Sequence, residues 1–291
     1  MRATKCLKNI IINNIMTEHI DFDIKDETVF MKQSAGFFSC CSVRLDAIIK
    51  YYNRYGKLPK KVDSTQQFKL YKLPSRENID VTYDFFLNPE DVLVNIVEPP
   101  VYRENFQGLD YKNDIHYGPI LPFVQKYFSP TAEIMTTVDY FEQKYNIDYD
   151  NTCVLFYRGL DKVTEFPIPT YREVFQRARN IEMNHSGTKK IRFLIQSDEE
   201  EFIKAALVEF PDAIVFRDET RSAPRQNSSV DLLSCDKKEN YYYIKLFFAI
   251  VLVMSRAKYF VCNTGNISIW TCLYRGCADE NVHQYLNWRY V

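Results

Sequence analysis

The chain has 291 residues, with 37 basic and 38 acidic side chains and a formal net charge of −1. A surface in that balance lacks the basic excess that replaces phosphate counterions, so a nucleic-acid partner is set aside. The length accommodates two domains of about 140 residues each. The 21 Phe and 21 Tyr against 8 Gly promise an aromatic core, with tyrosine also suited to a polar cleft.

Near the N-terminus, Arg2, Lys5 and Lys8 precede Ile10-Ile11-Ile12, and Asn13-Asn14 interrupt the apolar run before it reaches signal-peptide length. Residues 28–32 read as a strand. A loop over Ser34–Ser39 contains Gly36, and apolar residues at helical spacing (Val43, Leu45, Ile48, Ile49, Tyr52) predict a helix over Cys41–Tyr52. Strand, glycine-containing loop and helix is how a Rossmann half begins. Further strands are expected over 80–86 and 92–97, and helices over 120–127 and 135–145. The polar stretch Asn146–Asn151 reads as a linker. It divides the chain into an N-terminal domain, residues 1–148, and a C-terminal domain, 149–291.

The alternation restarts after the linker. Strands are expected over 153–157, 191–196, 213–217 and 259–262. Helices are expected over 171–183 (Thr170 as N-cap), 199–210 (ended by Pro211), 241–257 and 266–274 (Gly276 as C-cap). Short apolar strands between helices predict a doubly wound parallel sheet covered on both faces. Two such halves make an α/β protein with two facing Rossmann-like domains, and a ligand would lie in the cleft at the carboxyl ends of the strands. The most apolar stretch, 244–254, is far short of the ~20 residues that cross a bilayer. A soluble, cytoplasmic protein is expected.

Eight cysteines (Cys6, Cys40, Cys41, Cys153, Cys235, Cys262, Cys272, Cys277) form no CxxC pair, and the four histidines are scattered. That argues against a zinc site and for reduced thiols. Cys40 and Cys41, at a helix start, read as packing residues rather than nucleophiles. No P-loop, dinucleotide fingerprint or hydrolase elbow is present.

Three polar turns at strand ends carry the candidate chemistry. In the first, Arg158, Asp161 and Lys162 leave a strand, with Glu165 soon after. A guanidinium fork and an ammonium there suit a phosphate leaving group. In the second, Ser197 and Asp198 open a helix, either as caps or as contacts to a ribose or base. In the third, Thr264, Gly265, Asn266 and Ser268 stand at a helix start. Main-chain N–H groups there can hold an anion, and Gly265 permits close approach of a diphosphate. Asp21-Phe22-Asp23 and Asp148-Tyr149-Asp150 are D-x-D triplets, but neither follows an apolar strand, so no metal ligands are assigned.

Together these residues resemble the fucosyltransferase superfamily that contains the α-1,6-fucosyltransferases and the nodulation fucosyltransferases. The resemblance covers roughly residues 151–280. It rests on R-x-x-D-K (Arg158 to Lys162), the Ser197-Asp198-Glu199 turn, Phe210-Pro211 leading to Asp218, and Ser255-x-Ala257-x-Tyr259-x-Val261-Cys262. It implies two facing Rossmann domains of the GT-B type and an inverting, metal-independent sugar transfer. No cofactor is implied beyond the nucleotide-diphosphate sugar donor, and the acceptor would be a glycan. By carry-over, Arg158 holds the donor β-phosphate with help from Lys162, Asp198 faces the nucleoside, and the Thr264–Ser268 turn binds the diphosphate. This chain has Gly159 where the family has a second arginine. It has an apolar residue near Ile250 where the family has the acid that reads guanine. GDP-, UDP- and other nucleotide sugars therefore stay open. For the base that takes the acceptor proton, Glu165 is the first candidate, with Asp161, Asp46 and His116 as alternatives. The competing readings are a non-catalytic nucleotide- or sugar-binding module and a metal-dependent D-x-D transferase.

Overall fold

The computed structural model describes residues 22–100, 108–165, 167–233 and 236–286. In chain order the elements are β1 (Phe22–Lys25), β2 (Thr28–Met31), α1 (Phe37–Tyr55), β3 (Lys61–Asp63), α2 (Tyr117–Phe128), α3 (Ala132–Tyr145), β4 (Thr152–Tyr157), α4 (Lys162–Glu165) and α5 (Tyr171–Asn184). They continue with β5 (Arg192–Ser197), α6 (Glu200–Glu209), β6 (Ile214–Val215), α7 (Val230–Leu233), α8 (Lys237–Arg256), β7 (Tyr259–Asn263), α9 (Asn266–Arg275) and β8 (Val282–Tyr285).

The C-terminal half is the doubly wound sheet expected. Its strands run β6-β5-β4-β7-β8, all parallel. All six residues of β4 are buried, because helices cover both faces. Cys153, Leu155 and Tyr157 point into a core with Val174, Ala178 and Phe202 of α5 and α6. Val154 and Phe156, alternating with them, join the core that holds α8 and α9. The chain leaves β4 to one side for β5 and returns on the other side for β7. The order therefore reverses between β4 and β7, where such sheets open a crevice beyond their carboxyl ends.

Local signals set the helix ends. Thr170 and Glu173 form a reciprocal capping box on α5, and Gly276 closes α9 at φ 85°. Helix α1 begins at Phe37, four residues before the expected start, because burying Phe37 and Phe38 pulls the second half of the loop into its first turn.

The N-terminal half departs further from expectation. Its sheet has three strands, with β1–β2 antiparallel and β2–β3 parallel. Asp26 and Glu27 make the two-residue turn at φ 49° and 61°, the primed geometry that suits a hairpin. No strand forms over 80–86. The Asp80 carboxylate takes the Thr82 N–H (2.9 Å), the Thr82 hydroxyl (2.6 Å) and the Ser64 N–H (2.8 Å), folding Thr82–Asp84 into a 3₁₀ turn. Residues 92–97 are also without a strand, with Leu93 and Val97 in water.

One apolar core joins the two halves. Phe37 and Phe38 of α1 meet Phe248 of α8 at 6.0 and 5.9 Å between ring centroids, and Phe38 meets Trp270 of α9 at 6.2 Å. The Ser42 hydroxyl donates to Asn266 Oδ1 at 2.7 Å and accepts from Trp270 Nε1 at 2.9 Å. Among the described residues, no helix is long and apolar enough to cross a membrane.

Candidate nucleotide-binding site at the sheet reversal

Strand register assembles the site. Tyr157 pairs with Ser197 and Phe156 with Cys262, so the residues that follow, Arg158, Asp198 and Asn263, emerge side by side. Arg158 Nε donates to Asp198 Oδ2 at 2.5 Å and Nη2 to Asp161 Oδ1 at 2.6 Å. Asp198 Oδ1 accepts the Gly159 N–H at 2.9 Å. The Asn263 side chain bonds the N–H and C=O of Arg158, each at 3.4 Å. Burial lowers the guanidinium's pKa, but Asp198 and Asp161 outweigh it and hold Arg158 above its ordinary value. The cation is permanent.

These residues border a cavity of about 690 Å³ between the halves, a size that suits a small-molecule ligand. The N-terminal half contributes Lys32, Ser34 to Ser39, Lys69 and Leu70. The C-terminal half contributes Arg158, Asp161, Lys162, Gln196, Asp198, Arg221, Asn266 and an apolar side that includes Tyr243, Ile244 and Phe247. Five of the lining side chains are cationic (Lys32, Lys69, Arg158, Lys162, Arg221) and two are acidic (Asp161, Asp198). Both acids are bonded to Arg158.

Of the residues singled out from sequence, Arg158, Asp161, Lys162, Asp198 and Asn266 meet on this cavity. The others, Glu165 aside, are not among the residues that line it. Ser197 is fully buried and its hydroxyl accepts the Glu199 N–H at 3.0 Å. Ser268 donates to Asn263 O at 2.6 Å, and Thr264 donates to Tyr285 O at 3.0 Å. The Gly265 N–H, expected to face an anion, donates to the Tyr111 hydroxyl at 2.9 Å. Lys162 lies across Gly265, its Cε 3.9 Å from where a Cβ there would sit. Glu165 ends α4, and its side chain lies outside the described residues. Asp46 pairs with Lys50 at 3.2 Å, His116 stands at the N-cap position of α2 without a side-chain capping bond, and neither lines the cavity. In the D-x-D triplets, Asp21 lies outside the described residues, Asp23 pairs with Lys32 and Asp148 with Lys189. No group of three or more potential metal ligands occurs among the described residues. Cys40 and Cys41 are buried, and burial raises both thiols.

Gly159 has a spatial reason. A Cβ there would stand 1.6 Å from Glu199 Oε2 and 2.9 Å from Tyr157 Cε1. Glu199 is fully buried, with Oε1 accepting from Tyr171 (2.6 Å) and Arg225 (2.7 Å). A second arginine beside Arg158 does not fit.

Lys32, Lys69, Gln196, Arg221, Tyr243 and Phe247 were not picked out from the sequence. Gln196 and Arg221 obey the same strand-end rule as Arg158 and were accessible to it. Tyr243 and Phe247 sit in an apolar helix and read as core.

No protein-family model matches the chain, and no curated protein matches its sequence. Solved structures do match in fold. NodZ α-1,6-fucosyltransferase co-crystallised with GDP aligns at 12% identity and TM-score 0.53, over 87% of this chain and 92% of that one. The same enzyme soaked with GDP-fucose aligns at 12% identity and TM-score 0.55, over 86% and 93%. Fucosyltransferase NodZ from Bradyrhizobium aligns at 10% and 0.52, over 87% and 93%. The chain thus shares the fold of these NodZ structures over most of its length.

Proposed function

We propose that the chain is a glycosyltransferase of the two-domain GT-B type, with residues 1–148 on the acceptor side and 149–291 holding a nucleotide-diphosphate sugar. The observation that carries this reading is the cavity at the sheet reversal, which Lys69, Arg158, Lys162 and Arg221 line together with two carboxylates already bonded to Arg158, while Lys32 is paired with Asp23. A diphosphate is the anion that such a cationic lining suits. Among the described contacts Arg158 commits Nε and Nη2 to carboxylates, which leaves Nη1 for a phosphate oxygen.

As the glycosidic bond to the donor breaks, charge develops on the β-phosphate. Arg158 and Lys162, fixed beforehand, stabilise it there. Transfer is then inverting and needs no metal. The glycan acceptor enters past Lys32–Ser39, and Asp161 or Glu165 takes its proton. GDP and GDP-fucose, present with the NodZ structures, make a GDP-sugar the first donor to test.

Titration calorimetry with GDP, UDP and TDP in excess EDTA tests the reading. Binding of a nucleoside diphosphate is expected, followed by sugar transfer to a member of a glycan panel. If the folded protein binds none of the three, the reading is wrong. Binding without transfer to any acceptor would favour a non-catalytic module.

A further inference from the structure

Arg221 stands on the loop after β6 and borders the same cavity as Arg158. Its guanidinium carbon lies 4.2 Å from the centroid of the Tyr243 ring. Nη1 donates to Asn240 Oδ1 at 2.5 Å, and Nη2 stays 3.9 Å from Glu239 Oε2. The loop is tied to the strand end that carries Asp198. Ala223 N–H donates to Asp198 O at 2.9 Å, the Glu200 N–H donates to Ala223 O at 3.0 Å, and Arg225 grips the buried Glu199. The loop that carries Arg221 is therefore anchored on the turn whose Asp198 holds Arg158. Beside Arg221, Tyr243 and Phe247 form a stacked pair, 5.7 Å apart and inclined by 21°. One cavity thus offers a cationic diphosphate end and, apart from it, an aromatic wall carrying a planar guanidinium.

Resting on the donor reading above, we propose that Arg221 reads the donor base by donating to O6 and N7 of guanine, on the edge opposite the one a carboxylate would read. A carboxylate reads guanine through N1–H and the 2-amino group, and among the described residues that line this cavity none is left to do so. Its two lining acids are bonded to Arg158, and Ile250, at the position expected of the acid, is fully buried in the core. A guanidinium donates and never accepts, so it requires two neighbouring acceptors. Guanine presents O6 and N7 side by side, adenine presents an amino donor in that place, and uracil offers one oxygen beside a C–H. The apolar wall covers the ring, and Arg221 selects it.

The test is a set of dissociation constants for GDP, inosine diphosphate, 7-deaza-GDP, ADP and UDP. They are measured with the parent protein, Arg221→Lys and Arg221→Met. Inosine diphosphate keeps O6 and N7 but lacks the 2-amino group, so it should bind within about threefold of GDP. 7-Deaza-GDP, ADP and UDP should each be weaker by about tenfold or more. Arg221→Met should lower GDP affinity about ten- to a hundredfold, to the level of ADP, while leaving ADP nearly unchanged. Arg221→Lys keeps the charge and can still donate to O6 and N7, and should retain part of the preference for guanine that Arg221→Met loses. Thermal melting and pyrophosphate binding confirm that each variant is folded with its diphosphate end intact.

Inosine diphosphate binding more than tenfold below GDP, or tighter binding of UDP or ADP, overturns the proposal and leaves the donor reading standing. So does an equal loss for every base in Arg221→Met. Failure of the parent to bind any nucleoside diphosphate overturns both.

Discussion

Replacing Arg158 by methionine strands a charge, and the structure sets the size of the effect. Asp198 is 7% exposed and is held by the Arg158 fork and the Gly159 N–H. Removing one partner of a buried pair costs about 3–5 kcal/mol. Arg158 is 17% and Asp161 27% exposed, so water shares the load and about 2–3 kcal/mol is expected at pH 7. Asp198→Asn alone leaves Arg158 paired with Asp161 and should cost about 1–2 kcal/mol. In the double variant only the part-exposed Asp161 is left without its guanidinium, and the asparagine oxygen still accepts from Gly159. More than half of the Arg158→Met loss should return. Urea denaturation of the four proteins gives the coupling energy directly. A coupling below about 0.5 kcal/mol would show that the pair does not form. The site built on the β4–β5 register would fall with it.

Gly159→Ala forces a methyl into Glu199, itself gripped by Tyr171 and Arg225, and should destabilise by about 1–3 kcal/mol. An unchanged melting temperature would mean that Glu199 is not locked. Among the described cysteines, Cys277 is exposed and the other five are buried. Iodoacetamide on the folded protein should modify Cys277 before the other described cysteines, as peptide mass spectrometry would report, and early labelling of Cys153 or Cys262 would contradict the packing. Burial, and then Arg177, pull the His283 imidazole down to about 4. Its neutral form belongs to the folded state, so its contribution is complete above the ordinary value of about 6.5 and is lost as pH falls toward 4. His283→Gln should flatten the stability profile in that window, and parallel profiles would refute the assignment.

The sequence by itself determined four of the five strands of the C-terminal sheet and its long helices, while the edge strand β8 and the short helices α4 and α7 were not foreseen. The apolar runs of β4, β5 and β7, the Thr170 cap, Pro211 and Gly276 are local signals, read by neighbours in the chain. The strand-end rule likewise led from the sequence to Arg158, Asp161, Lys162 and Asp198. Tertiary structure decided which polar groups face the cavity. Gly265 lost its N–H to Tyr111, 154 residues away in the chain, and Thr264 and Ser268 turned their hydroxyls onto backbone carbonyls. Asn266 is linked to Ser42 across the seam between the halves. Tyr243 and Phe247 line the site from a helix whose apolar pattern reads as core. The strand expected over 80–86 gave way to the Asp80 turn, which also bonds Ser64. Periodicity and capping are set by residues within a few positions of one another. The partner of a turn's N–H or hydroxyl depends on sheet register and on which distant segment packs over it, and no local pattern carries that information.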